Sequence, residues 1–368
     1  MTLFQFTLKN LSRRPIRTVL TVLGIGVGIG AVVALMGMAR GLGQSWTDAY
    51  KARGTDLVIR SAGGGFMAQP FDSKLIEDVR KVPGIGAASN LLTEVLSVEK
   101  ASVIVVSGRE WGSYLWESVN IIEGRRPKNA DEKAVVLGTL AAEALEKKVG
   151  DTVTIEVDEF TVVGIADAKA AVENGSIFIA LPHLQKLMQK ETRVNFVNVR
   201  LDPKASSATV EAELKKRFPT YRIDTAEAVT AKNEGVKAFE AMNWGTSAIA
   251  LLVGTFGVMN TMFMSVTERT KEIGILIALG WRRSRILRMI LFESIALCAG
   301  AGVLGVVFGI LLLKVMAITP FLSGKLEPYV GADLSAFAFG LALVVGLLSG
   351  LAPALHCTKI NPSMALRQ

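Results

Sequence analysis

Cysteine, histidine and a nucleotide-binding loop are what this chain has least of. It holds 2 cysteines, Cys298 and Cys357, and 2 histidines, His183 and His356, among 368 residues. Neither cysteine lies between residues 40 and 243, so that long segment must fold without a disulfide, even in an oxidising compartment. So few soft ligands leave no zinc constellation, and no metal-binding residue is expected. No G-x-x-x-x-G-K-[ST] occurs, which excludes ATP hydrolysis by a P-loop within this sequence. A Ser/His/Asp set is equally unsupported. His183 follows Pro182 at the start of an expected surface helix, where a solvated or capping role is expected. No catalytic residue and no cofactor ligand is assigned, and the chain is expected not to be an enzyme by itself.

Charge is also missing, in four places. Residues 18–39, 244–266, 294–313 and 334–355 contain no Asp, Glu, Lys or Arg. About 20 apolar residues at 1.5 Å rise cross a bilayer core, and a single segment can do so only as a helix. Hydrophobic residues make up 50% of the chain and mean hydropathy is +0.40, in keeping with a membrane protein that carries one soluble domain. The remaining charge sorts by side. Residues 1–17 carry Lys9, Arg13, Arg14 and Arg17 and no acid. The 267–293 loop has six basic residues to three acidic, and the tail adds Lys359 and Arg367. These three segments hold the whole basic excess of the chain, formally +8. The positive-inside rule places them in the cytoplasm. Both termini are then inside, and residues 40–243 hang outside. The basic excess flanks helices and calls for no nucleic acid, although it would attract anionic lipid headgroups.

The expected organisation follows. Residues 1–17 form an amphipathic cytoplasmic lead-in, and 18–39 the first transmembrane helix. Twenty-two uncharged residues there exceed the usual apolar core of a cleaved signal, so the segment is expected to remain as an anchor. Residues 40–243 form an extracytoplasmic domain with stalk helices and two lobes, the inserted lobe covering about 110–190. The second span is 244–266, the inner loop 267–293 and the third span 294–313. A short external loop, 314–333, leads to the fourth span, 334–355, and a cytoplasmic tail, 356–368. The fold class is thus membrane α-helical, with four transmembrane helices in a 1+3 arrangement. A large α+β extracytoplasmic domain sits between helices 1 and 2.

Within that domain, β-branched runs predict strands at 56–60, 95–98, 103–106, 134–137, 152–157, 161–165, 177–179, 196–201 and 221–224. Helices are expected at 73–81, 139–147, 182–190 and 206–218. Residues 110–123 are ambiguous. Helical pattern is expected to run outward from span 1 to Lys51 and to resume from Ala226 into span 2. Two such stalks can carry a motion across the bilayer. Glycines recur four apart at Gly24/Gly28, Gly305/Gly309 and Gly346/Gly350, the spacing that lets helices approach closely. Spans 1, 2 and 4 hold no charged residue, whereas a proton or ion relay would require one, so secondary active transport is not expected. Arg288 and Glu293 lie near the inner end of span 3, where snorkelling or a helix–helix pair is expected.

The inner loop is the most informative constellation. It reads Thr267-Glu268-Arg269-Thr270-Lys271-Glu272-Ile273-Gly274-Ile275-Leu276-Ile277-Ala278-Leu279-Gly280. Ile273, Leu276, Ile277 and Gly280 follow i, i+3, i+4, i+7, so one face of a short helix is apolar. Glu268, Lys271 and Glu272 fall on the charged face, and Gly280 is a natural stop. Spacing alone is equally compatible with a helix lying flat under the membrane and with a knob that docks into a cytoplasmic partner.

Here a family resemblance enters. E-R-x-x-E-I-G-x-x-x-A-x-G resembles the loop of the MacB/FtsX-like ABC transporter permeases, which include lipoprotein-releasing and macrolide-export types. Leu11-Ser12-Arg13-Arg14-Pro15 through Ile25 is similar to that family's first-span opening. Val82-Pro83-Gly84-Ile85, Ile122-Glu123-Gly124-Arg125-Arg126, Gly150-Asp151-Thr152-Val153 and Ile360-Asn361-Pro362 resemble later landmarks, in order. The resemblance implies a permease half that pairs with a second copy or a paralogue. It also implies a separate cytoplasmic ATPase that carries ATP and Mg, and allows a periplasmic adaptor. By residue match, Glu268, Arg269, Glu272, Ile273, Gly274, Ala278 and Gly280 would form the ATPase-docking loop. The expected location is a bacterial inner membrane. The expected output is export of a hydrophobic or lipid-linked substrate, or, as in the FtsX branch, activation of an external cell-wall hydrolase.

Overall fold

The computed structural model describes residues 15–62, 68–99, 102–168, 170–231, 234–318 and 330–358. The lead-in up to residue 14, most of the 314–333 loop and the tail from 359 lie outside the described residues. The chain divides into two compact units. One gathers residues 1–37, 241–315 and 329–368, and the other 38–240 with 316–328.

Among the described residues, four helices are long and apolar enough to span a bilayer, with spanning stretches at Thr18–Ala52, Glu240–Glu268, Arg283–Met316 and Ala332–Thr358. The first belongs to α1 (Pro15–Ala52), 38 residues long. It passes the expected end of span 1 without a break and carries the helical pattern out past Lys51, since no proline interrupts residues 40–51 and packing outweighs the weak propensity of Gly41 and Gly43.

In the membrane unit the third span is the hub. Gly26 and Gly30 of α1 approach Gly305 and Gly309. A Cβ on Gly305 would sit 2.7 Å from Ile29 Cβ, and one on Gly309 would sit 2.7 Å from Gly30 O. Nearer the N-terminal end of the same helix, Cβ atoms on Gly346 and Gly350 would meet Cys298 and Ser294 at 2.9 and 2.7 Å. Ser294 Oγ donates to Gly346 O at 2.6 Å, a bond that a polar group in hydrocarbon needs. Both cysteines are free and buried.

The external unit is built on one mixed sheet. Its strands are β1 (Leu57–Ser61), β3 (Ile85–Val98), β4 (Ser102–Arg109), β5 (Ile121–Gly124), β6 (Ala134–Gly138), β7 (Thr152–Ile155), β8 (Asp158–Ala166), β9 (Ser176–Ala180), β11 (Phe196–Leu201) and β12 (Tyr221–Thr225). A separate two-stranded ribbon pairs β2 (Phe71–Asp72) with β10 (Arg193–Val194). The main order is β12-β1-β11-β3-β4-β9-β6-β8-β5, with β7 on β3 and β8. The sheet runs unbroken through the expected lobe boundaries, because β4 pairs in parallel with β9. One face carries a continuous core of Leu57, Ile59, Leu92, Ile104, Val106, Leu137, Ile177, Ile179 and Val197. Helices α2 (Leu75–Val79), α4 (Thr139–Leu145), α6 (Leu181–Leu187) and α7 (Ser207–Arg217) belong to this unit. Its other helices are α3 (Tyr114–Glu117), α5 (Ala171–Asn174) and α8 (Ala226–Ala231).

Two differences from the sequence reading have physical causes. The 14-residue β3 begins at Ile85, ten residues before the expected run. Its early part is polar, yet Ser89, Asn90 and Thr93 are buried. Ser89 Oγ donates to Asn90 O at 3.3 Å, Asn90 N to Glu110 Oε2 at 3.0 Å and Asn90 Nδ2 to Ser73 O at 3.2 Å, while Asn195 pairs with the Thr93 backbone. The Asn195 Oδ1 accepts from Thr93 N at 3.0 Å and its Nδ2 donates to Thr93 O at 2.7 Å. His183 is half-buried rather than fully solvated. Its Nε2 is buried without a partner, and its ring meets Phe160 edge-on at 5.9 Å.

Candidate functional site

The membrane unit continues as α9 (Glu234–Glu268), α10 (Thr270–Ala278), α11 (Arg283–Ile318) and α12 (Ala332–Thr358). Helix α10 is the short helix expected in the inner loop. Gly280 stops it with φ +87°, a conformation that only glycine takes without strain. The turn closes with Gly280 N donating to Ile277 O at 3.0 Å and Trp281 N to Leu276 O at 3.1 Å.

The helix shows two apolar faces rather than one. Ile273 and Gly274 are buried, and Ile273, Ile277 and Trp281 pack into the cluster that holds Val266, Ile286 and Ile290. On the other side Ile275 is 43% exposed and Leu279 73%, with Lys271, Glu272 and Ala278 exposed around them. Gly280 is exposed as well, so it does not join the packed face that the spacing predicted.

Arg269 seats the helix. Its Nη1 lies 3.4 Å from Glu293 Oε2 on α11, and its Nε 3.4 Å from Glu272 Oε2. Glu293 is thus paired with the turn residue that joins α9 to α10. Beyond Gly280, the Arg285 guanidinium stacks 4.3 Å over the Trp281 ring, a cation–π arrangement. Glu268 is the exposed last residue of α9. The arrangement can present a small rigid knob, apolar at its centre and charged at its rim. It offers no nucleophile and no acid–base pair.

Sequence reasoning missed Ile275 and Leu279 as the outward pair, although their i, i+4 spacing was the available signal. It also missed that Gly24 is not a packing glycine within this chain. A Cβ there would meet nothing within 4 Å, and one on Gly28 would only approach Ala250 O at 3.6 Å. Both instead line a groove of 1060 Å³ between α1 and α9, which also includes Leu20, Val253, Gly254 and Gly257. Thr21 and Thr261 hydroxyls lie 3.2 Å apart there.

Known proteins carry the same parts. Residues 18–217 match the family model described as a MacB-like periplasmic core domain, and 244–362 match the FtsX-like permease C-terminal model. An uncharacterized ABC transporter permease of Methanocaldococcus jannaschii is 30% identical, over 98% of this chain and 96% of that protein. The macrolide export ATP-binding/permease protein MacB of Brucella melitensis is 28% identical over 98% of this chain, which spans only 60% of that protein. The solved periplasmic region of MacB from Actinobacillus actinomycetemcomitans aligns with 50% of this chain and 94% of that one, at 15% identity and a TM-score of 0.40. With four membrane-spanning helices and a large sheet domain after the first, the chain belongs to the MacB/FtsX-like family of ABC transporter permeases.

Proposed function

We propose that this chain is the membrane subunit of an ATP-driven complex that exports or extracts a hydrophobic or lipid-linked substrate from the periplasm or the outer leaflet. Family membership implies a cytoplasmic ATPase partner. On this reading the ATPase is a separate subunit, binds ATP and Mg itself, and grips α10. One observation carries the reading. Ile275 and Leu279 stand exposed on a helix whose other face is anchored by Ile273, Gly274 and Ile277. An apolar centre ringed by charge is the usual anatomy of a protein-docking patch. The groove lined by Gly24, Gly28, Gly254 and Gly257 supports a second permease copy or a paralogue as the neighbour of α1 and α9. A periplasmic adaptor and membrane lipid complete the expected partners. Both termini are cytoplasmic by the charge argument.

Macrolide export is in the printed name of several relatives, and the MacB-like core over residues 18–217 supports export over signalling. The second reading is a scaffold that activates an external cell-wall hydrolase. The FtsX-like match over 244–362 supports it. Loss-of-function phenotypes separate the two: sensitivity to drugs or lipids for export, chained or misshapen cells for signalling. The ATPase assignment is tested by purifying tagged chain carrying Glu272→Lys. Normal ATPase recovery with that variant would sink the docking reading.

A further inference from the structure

The external unit holds a buried charge cluster that the proposed docking does not use. Arg53 follows the last turn of α1 and is 4% exposed. Arg109 ends β4 and is fully buried, and Glu173 on α5 is 3% exposed. Arg53 Nε donates to Glu173 Oε1 at 2.7 Å, and Arg53 Nη2 reaches the same oxygen. Arg109 Nη2 donates to it at 2.8 Å. Arg109 is itself fixed, with Nη1 on Leu115 O at 2.5 Å and the guanidinium 4.4 Å over the Phe178 ring. Burial pushes the Glu173 carboxyl up, but Arg109 and Arg53 outweigh it and hold it ionised, below the usual range.

Around this cluster the outer end of α1 is gripped on two sides. Trp46 and Ala49 pack on Ala170 and Val172. Tyr50 packs with Ala226 and Val229 of α8. The α5 turn is in turn nested on β6, where a Cβ on Gly138 would run into Asn174 O.

Apolar contacts such as Ala49 against Val172 tolerate sliding, since dispersion and burial are not directional. A buried carboxylate shared by two guanidiniums does not, because any slip leaves an uncompensated charge in a low dielectric. An apolar trio of equal volume would hold the fold as well, so stability alone does not account for the cluster. What the ion pairs add is stiffness in a chosen direction.

We propose that Glu173, gripped by Arg53 and Arg109, is a positioning residue that locks the outer end of α1 to the 110–190 part of the sheet, so that the two move as one body. The role rests on the reading that ATP hydrolysis displaces α1.

The test uses the full chain with its ATPase in lipid nanodiscs, spin-labelled at Gln44→Cys and Asp131→Cys, both exposed positions. The native cluster is expected to give one narrow 44–131 distance that nucleotide does not change. The apolar triple Arg53→Met, Arg109→Met, Glu173→Leu is expected to keep its Tm yet lose that narrow distance. Glu173→Gln, if it folds, is expected to show the same loss. A triple variant that keeps a single narrow distance, with or without ATP, overturns the joint. The width is read without nucleotide too, so the joint is judged independently of transport. A second label pair, Gln44→Cys with Lys237→Cys, reports displacement of α1 itself. No ATP-driven change in that pair counts against the transport reading instead.

Discussion

Arg269 on the inner loop stands 3.4 Å from Glu293 on the third span. One side chain therefore ties the short helix to the hub of the membrane unit. Glu293 is only 6% exposed, and a buried carboxylate that loses its cation must be desolvated alone. Arg269→Ala is expected to lower the unfolding free energy by about 1–3 kcal/mol. Adding Glu293→Gln should recover part of that loss. Thermal unfolding of both variants in detergent checks this, and equal stability of wild type and Arg269→Ala would contradict it.

The two faces of α10 predict opposite phenotypes. Leu279→Asp changes a residue that is 73% exposed, so chain stability should move by no more than about 0.5 kcal/mol while ATPase recovery is lost. Ile273→Asp places a carboxylate at a site 4% exposed and should destabilise the bundle before any docking is measured. A melting curve beside a pull-down separates the two. Stable Ile273→Asp, or full ATPase binding by Leu279→Asp, would reverse the faces.

The glycines divide in the same way. Gly305→Ala puts a methyl 2.7 Å from Ile29 Cβ and 2.8 Å from Gly26 O, and overpacking of that kind costs about 1–3 kcal/mol. Gly24→Ala meets open space and should leave the single chain within about 0.5 kcal/mol of its stability. Gly24→Trp should instead block the groove beside α1 and abolish cross-linking between chain copies. Melting curves for the first pair and cross-linking yields for the last are the measurements.

Acid should weaken the external unit through Glu132. Arg125 holds its carboxyl down from 4.5 to about 2, with Nη2 on Oε1 at 2.5 Å. Because the folded value is depressed, the contribution is complete above the unfolded value and fades as pH falls toward the folded one. The Tm of wild type should therefore drop between pH 4.5 and about 2 more steeply than that of Glu132→Gln. Parallel acid limbs for the two would contradict the assignment. The pair is partly exposed, so solvent screens it and the difference should be small.

The sequence made some of this legible and hid the rest for physical reasons. Helices with no charge over twenty residues have one stable destination, which is why the four spans could be read directly. Strands such as Phe196–Leu201 were readable from β-branched runs. The stretch Ser89–Thr93 was not, because its buried polar groups are met from far along the chain, Asn90 by Ser73 and Glu110 and Thr93 by Asn195, a hundred residues away. Helix α10 was visible from its spacing, but periodicity does not say which apolar residues face the bundle. Ile273 and Ile275 carry the same hydrophobicity and lie on different sides. Gly24 and Gly305 share a motif, yet only Gly305 has a helix of this chain against it. The Arg53–Glu173–Arg109 cluster joins residues up to 120 apart, and no local pattern announces it.

The most direct test of the account is affinity purification of the tagged full chain in detergent, followed by an ATPase assay of the eluate. The account predicts an ATPase subunit in the wild-type eluate, and loss of that subunit and of hydrolysis with Glu272→Lys or Leu279→Asp while the chain still inserts. A lone chain in the wild-type eluate, or undiminished hydrolysis in both variants, would contradict it.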